Sequence, residues 1–275
     1  VNNIGNLFSV RDRTVVVTGG MGQLGRQFTS TLASNGARVA LLDPAATPEE
    51  CAARFQDWES IREGVYPIQA DVTQRQSLER ALSQIRSKWG TPDGLINNAA
   101  IDAPPDAPPE ETGPFETYPE TSWDQVSNVN SKGVFLACQV FGGAMAEAGY
   151  GSIINISSIY GLVSPDQRIY DFRRRDGETF FKPVAYSVTK AGLLNLTRYL
   201  ATYWAPRGVR VNSLVFAGVF NNQPEEFLTA YCPKVPLGRM ADETEYNGAV
   251  VFLLSDAASY MTGSTISVDG GFTAW

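Results

Sequence analysis

Arg13-Thr14-Val15-Val16-Val17-Thr18 runs straight into Gly19-Gly20-Met21-Gly22-Gln23-Leu24-Gly25, and an apolar helical pattern continues to about residue 34. A β-branched run that turns into a helix through glycines constrains the fold more than any other stretch. Glycines let a backbone approach a pyrophosphate, and the helix start offers free N–H groups and the positive end of a dipole. A second buried strand is expected over 37–42, ending in Asp43, about twenty residues past the glycines. A carboxylate there accepts hydrogen bonds from both ribose hydroxyls of an adenosine and repels a 2′-phosphate. Pro44, Ala45 and Ala46 follow, with no adjacent cation, so the pattern points to NAD rather than NADP.

Strand and helix patterns keep alternating. A helical stretch is expected over about 47–62, a strand over 65–70 ending in Asp71-Val72, and a helix over about 77–88. Asp93-Gly94-Leu95-Ile96 then enters Asn97-Asn98-Ala99-Ala100. Further on, a long helix is expected over about 123–148, strands over 151–158 and 208–215, a helix over 242–255 and a last strand over 264–268. Such alternation predicts an α/β fold with a mostly parallel sheet covered on both faces, its ligand crevice at the carboxyl ends of the strands.

The totals narrow the chemistry. The chain has 275 residues, 43% of them hydrophobic, and a net charge of −7, so nucleic acid is not an expected partner. Cys51, Cys138 and Cys232 are widely spaced and odd in number, which suggests neither a disulfide framework nor a zinc site. There is no histidine, which excludes Ser-His-Asp and Cys-His catalysis and His-ligated metals. Residues 1–10 carry no basic start or long apolar run, and no segment reaches the ~20 apolar residues that span a bilayer. The expectation is a soluble cytoplasmic protein without a membrane partner.

Tyr186 and Lys190 stand four residues apart at the start of an apolar helical pattern, on one face and one turn apart. A phenol titrates near ~10, and an adjacent ammonium favours the phenolate. The pair can move a proton to or from a substrate hydroxyl.

The glycine turn, Asp71-Val72, Asn97-Asn98-Ala99-Ala100 and Tyr186-Ser187-Val188-Thr189-Lys190, in this order, resemble the short-chain dehydrogenase/reductases over nearly the whole chain. The resemblance implies one Rossmann domain over residues 1–275, a doubly wound seven-stranded sheet with helices on both faces. It implies that Gly19, Met21, Gln23 and Leu24 approach the dinucleotide, that Asp71 and Val72 hold the adenine, and that Asn98, Ala99 and Ala100 flank the cofactor. Asn130 would kink the long helix and hold a water linking Lys190 to solvent. Ser158, with Ser157 as neighbouring alternative, would bind the substrate oxygen. Val219 would contact the nicotinamide amide, although Phe216-Ala217-Gly218 replaces the usual Pro-Gly. A homotetramer or homodimer is implied as well.

Two departures stand out. Gln23 occupies the place of the usual middle glycine and Gly22 precedes it, a spacing more like the extended, sugar-handling members. The gap between Ser158 and Tyr186 is also far longer than the usual dozen residues. It contains Tyr170, a second candidate base with Arg174 four residues on, and Arg168, Arg173, Arg174 and Arg175, a possible anion site in an acidic protein. Segments of about 101–121 (rich in proline), 161–185 and 216–240 are expected to cover the substrate. The combined pattern is similar to a subgroup associated with sugar and surface-polysaccharide metabolism. The expected activity is an NAD-dependent oxidoreductase acting on the CH–OH group of a sugar or anionic sugar derivative. The alternatives are an epimerase or isomerase that keeps its NAD bound, and a non-catalytic NAD-binding scaffold.

Overall fold

The computed structural model describes residues 4–102, 109–175 and 179–275. Among them, seven strands form one sheet in the order β3-β2-β1-β4-β5-β6-β7. They are β1 Thr14–Thr18, β2 Arg38–Asp43, β3 Val65–Gln69, β4 Gly94–Asn97, β5 Gly151–Ser158, β6 Val209–Phe216 and β7 Thr265–Val268. Every neighbouring pair is parallel, so the mostly parallel sheet expected from the alternating pattern is present and wholly parallel, with the seven strands that the family resemblance implies. Strand order reverses between β1 and β4, and a crevice opens at the carboxyl ends of the strands at such a switch point.

Period-two alternation sorts the strand residues between two cores. Val15, Val17, Val39 and Leu41 pack on one face with Phe28 and Leu32 of the helix Gln23–Ser34 and with Val250 and Leu253 of the helix Asn247–Leu254. Val16, Ala40, Leu42 and Leu95 pack on the other with Leu78 and Ile85 of the helix Arg75–Trp89 and with Leu193 and Trp204 of the helix Val184–Trp204. Burial on both faces is why these strands read as continuous apolar runs. Pro67 lies in β3, at the sheet edge, where a missing N–H is tolerated. Among the described residues no helix is long and apolar enough to cross a membrane.

Three helical expectations change. The stretch 47–62 is two short helices, Pro48–Arg54 and Trp58–Ile61, because Phe55 turns extended and buries its ring against Trp58, centroids 5.8 Å apart. The helix expected at 242–255 begins only at Asn247. The long helix starts at Glu120 and is overwound nowhere but widened twice, into π-helix at Asn128–Gly133 and Cys138–Gly142. Both π segments end in a glycine pressed on a neighbour. A Cβ on Gly133 would lie 2.8 Å from Val72, and one on Gly142 would lie 2.6 Å from the Trp204 ring.

A buried polar spine joins the sheet to the helix Val184–Trp204. The Asn97 amide donates to Asn155 Oδ1 at 2.8 Å, Asn155 Nδ2 donates to Thr197 Oγ1 at 2.8 Å, and the Thr197 and Ser213 hydroxyls lie 2.7 Å apart. Replacing Asn155 by Leu strands the Asn97 donor and breaks the link to Thr197, so Asn155→Leu is expected to cost about 2–4 kcal/mol in urea unfolding. An unchanged midpoint would show that the spine adds nothing to stability.

Candidate active site

The glycine turn is shaped for close backbone approach. Gly19 has φ of 63°, and a Cβ on it would lie 2.7 Å from Ala99 Cα; a Cβ on Gly25 would lie 2.1 Å from the Gly19 carbonyl oxygen. Gly22 has an ordinary φ of −69° and caps the helix Gln23–Ser34 without any side-chain bond, leaving the helix N–H groups facing outward. Gln23, in the middle-glycine position, sends Nε2 to the Phe220 carbonyl at 3.0 Å, tying the turn to the segment after β6. Asn98 fastens the other side: its Nδ2 donates to the carbonyls of Thr18 and Gly19 at 3.1 and 3.0 Å. The backbone N–H groups of Asn98 and Ala99 both donate to Thr18 Oγ1 at 3.1 Å.

At the end of β2, Asp43 accepts from Ala45 N at 3.0 Å and from Met21 N at 3.3 Å, which fixes its carboxylate beside the turn. The Met21 side chain is itself buried against Cys51. Asp71 accepts from Thr73 N and Thr73 Oγ1, both at 2.8 Å, and Val72 packs against the π-helical Gly133. An uncapped helix start, two positions where no Cβ fits and a carboxylate at the end of β2 together fit a dinucleotide.

The chemistry-bearing groups lie where β5 ends and the helix Val184–Trp204 begins. Ser158 ends the strand; its Oγ accepts from Tyr160 N at 3.2 Å, and it lines the same cavity as Tyr186. The adjacent Ser157 turns the other way and donates to the Lys190 carbonyl at 2.8 Å, so it holds the helix. That separates the two serines as strand alternation requires. Asn130 sits in the first π segment. Its amide pairs with the N–H and C=O of Ile101 at 2.9 and 3.0 Å and reaches Thr189 Oγ1 at 3.3 Å. It thereby joins the kinked helix, the loop after β4 and the Tyr186 helix.

The expected effect of Lys190 on Tyr186 is not what this geometry shows. Lys190 Nζ donates to the Ile156 carbonyl at 2.8 Å and stands 5.7 Å from the centre of the Tyr186 ring. Burial lowers the lysine's pKa to about 8. Tyr186 is pushed well above its ordinary value, first by loss of solvent and then by the negative charge of Asp102, while the Ser158 hydrogen bond pulls it down.

These groups open on a cavity of about 310 Å³. Of the sequence-predicted residues, Leu24, Asn98, Ala100, Ser157, Ser158, Tyr186, Lys190 and Val219 line it. The segment after β6 supplies a roof, with Phe227 and Tyr231 on the helix Glu225–Tyr231. Tyr170 also lines the cavity, but it is buried between Phe180 and Phe227, with ring centroids 4.7 and 5.9 Å away. Burial raises its pKa, and Arg174 does not serve it.

Arg168, Arg173 and Arg174 do not line the cavity. Arg168 is 81% exposed and paired with Asp166. Arg173 covers the Phe180 ring at 4.4 Å. Arg174 donates to the carbonyls of Phe180 and Gln167, each at 2.7 Å, and to Asp171. These guanidiniums fold the insertion instead of facing a ligand. The Arg175 side chain lies outside the described residues, as do Pro104, Pro105 and Pro108 of the proline-rich segment.

Sequence reasoning missed the charged pair in the cavity wall, Asp102 and Lys182. Its only sequence signal was position: Asp102 follows Asn97-Asn98-Ala99-Ala100-Ile101, and Lys182 precedes Tyr186 by four residues.

Comparison with known proteins agrees with this layout. A family model described as enoyl-(acyl carrier protein) reductase matches residues 21–273. The NAD+-bound crystal structure of a short chain dehydrogenase from Leptospira borgpetersenii serovar Hardjo-bovis aligns with a TM-score of 0.83 and 34% identity, covering 99% of this chain and 96% of that one. Galactitol 2-dehydrogenase (L-tagatose-forming) of Cereibacter sphaeroides is 32% identical over 98% of each chain. A gluconate 5-dehydrogenase from Burkholderia cenocepacia, crystallised with NADP and tartrate, aligns with a TM-score of 0.81 and 25% identity, covering 99% of this chain and all of that one. With the parallel sheet, the glycine turn and the Ser158–Tyr186–Lys190 cluster in place, the chain belongs to the short-chain dehydrogenase/reductase family, as a member of classical length.

Proposed function

We propose that this protein is an NAD-dependent oxidoreductase that interconverts a secondary alcohol and a carbonyl on a sugar-like polyol. The observation that carries the reading is the cluster at the end of β5: Ser158, whose Oγ accepts from Tyr160 N–H, stands with Tyr186 and Lys190 in the wall of one cavity of about 310 Å³. That volume suits a small ligand. The galactitol and gluconate dehydrogenases to which the chain is similar support a polyol or sugar as substrate. The glycine turn, Asp43 and the NAD+-bound relative support NAD as the cofactor.

Bound NAD would supply the hydride acceptor for the substrate carbon. The chain's own groups would handle the oxygen. Ser158 donates to the substrate oxygen and orients it towards Tyr186. In the oxidation direction Tyr186 takes the hydroxyl proton as the carbon loses its hydride; in reduction it returns that proton. Lys190 lies one turn below, where it can reach a ribose and favour the phenolate once drawn from the Ile156 carbonyl. Asn130, bonded to Ile101 and Thr189, would hold the path by which the proton leaves.

Following absorbance of the reduced cofactor with a panel of polyols tests the reading. Tyr186→Phe should lower the oxidation rate by about 10²–10⁴ while leaving NAD affinity near wild type. Substrate conversion with no net NADH would instead support the epimerase alternative.

The electrostatics predict a pH dependence. Oxidation needs the phenolate, and the folded protein raises the Tyr186 pKa, so kcat/KM for oxidation should climb with pH through the alkaline range. Reduction, which needs the phenol, should be favoured at neutral pH. A flat oxidation profile between pH 7 and 9.5 would contradict the assignment of Tyr186 as base.

Asp43 should set the cofactor preference. Asp43→Ala removes the acceptor for the ribose hydroxyls and the repulsion of a 2′-phosphate, so the ratio of NAD to NADP efficiency should fall by about 10–100-fold.

A further inference from the structure

The cavity wall carries an ion pair that the proton relay does not use. Lys182 Nζ donates to both carboxylate oxygens of Asp102, each at 2.6 Å. The lysine side chain is 7% exposed and the aspartate 39%. Both line the cavity, and Lys182 Nζ stands 5.0 Å from the centre of the Tyr186 ring.

The position of Lys182 is built by the insertion between Ser158 and Tyr186. Its N–H donates to Gln167 Oε1 at 2.8 Å, and its carbonyl accepts from Gln167 Nε2 at 3.3 Å. The neighbouring Phe181 N–H donates to the Thr112 carbonyl at 2.7 Å. Phe180 is fully buried beside Tyr170. Arg174 holds the Gln167 and Phe180 carbonyls together. An ammonium so enclosed requires an anionic partner, and Asp102 is that partner.

The charge pattern decides between two kinds of substrate. A sugar acid needs a cation or guanidinium fork for its carboxylate. Arg168, Arg173 and Arg174 do not line the cavity, Lys182 is already committed to a carboxylate, and Lys190, the other lysine in the wall, donates to the Ile156 carbonyl at 2.8 Å. A substrate carboxylate would come to rest beside Asp102, like charge against like charge. A hydroxyl, in contrast, is a donor that a partly exposed carboxylate accepts well, since each carboxylate offers about four acceptor sites.

We propose that Asp102 and Lys182 are the specificity-determining pair of the substrate pocket and that they select neutral polyols over sugar acids. Asp102 accepts hydrogen bonds from substrate hydroxyls near the reacting carbon. Lys182 holds the carboxylate in place and balances its charge. This rests on the oxidoreductase reading above.

Matched neutral and acidic sugars test the proposal: galactitol against galactonate, and glucitol against gluconate, with NAD. The wild-type protein should favour the neutral member of each pair by about 10-fold or more in kcat/KM. Asp102→Asn should lower polyol efficiency by about 10–100-fold, chiefly through KM. It should raise efficiency with the sugar acids, because Lys182 is then released to a substrate carboxylate. The double variant Asp102→Asn with Lys182→Gln removes both charges at nearly constant shape and should lose discrimination between the pairs. It also guards against Asp102→Asn failing to fold.

Wild-type preference for the acids, or an equal loss on both classes in the single variant with discrimination kept in the double, would overturn the proposal. Calorimetry of the same four sugars on NADH-loaded protein separates this outcome from failure of the reading itself. Tighter binding of the polyols without turnover would sink the oxidoreductase reading and leave the selectivity standing. Equal or tighter binding of the acids, or no binding of any sugar, would sink the selectivity.

Discussion

Asn155 is the residue on which the catalytic geometry hangs. It lies in the middle of β5, wholly buried, with its carbonyl accepting from Asn97 on β4 and its amide donating to Thr197 on the helix that carries Tyr186. A buried amide is tolerated only when satisfied, so this one can exist only if sheet and helix hold one register. That register sets Ser158, three residues on, against Tyr186. Ser157 adds a second fastening through the Lys190 carbonyl. The proton-handling groups thus stand on rigid elements, while the substrate wall is built from loops and an insertion.

The electrostatics of the pocket pull in opposed directions. Burial disfavours charge on both Tyr186 and Lys190, raising one pKa and lowering the other to about 8. Asp102 raises the phenol further, and its charge supports the protonated lysine. The neighbouring Ser158 hydroxyl works the other way and favours the phenolate. A pocket of this kind keeps Tyr186 protonated at rest, and the approach of positive charge would shift it towards its basic form. The Asp102–Lys182 pair thus puts a carboxylate in the cavity wall, and that carboxylate adds to the rise in the Tyr186 pKa.

The arginine-rich insertion shows why charge in a sequence is a poor guide to a ligand. Arg168, Arg173 and Arg174 looked like an anion site because four arginines are conspicuous in an acidic chain. In the fold they meet Asp166, the Phe180 ring, two carbonyls and Asp171. Their work is to hold the strand of chain that delivers Lys182. The same limit appears at 47–62, where a helical pattern contained Phe55, whose burial beside Trp58 breaks the helix.

Local rules sufficed for much of the architecture. The alternation of Val15, Val16 and Val17, the glycines that no Cβ could replace, and the four-residue spacing of Tyr186 and Lys190 are short-range facts, and they led to the parallel sheet, the dinucleotide crevice and the Tyr–Lys pair. The rest depends on contacts between residues far apart in the chain. That Ser157 fastens the Tyr186 helix follows from the Lys190 carbonyl, 33 residues away. Asp102 and Lys182 meet across 80 residues. The sequence by itself determined the alternation of strand and helix, the glycine turn and the Tyr186–Lys190 pair, because periodicity and turn chemistry act over a few residues, and the resemblance those motifs carry pointed to Ser158 and Asn130. Only the tertiary structure decided the Asp102–Lys182 pair in the cavity wall, because the partner of a buried charge is set by packing and desolvation.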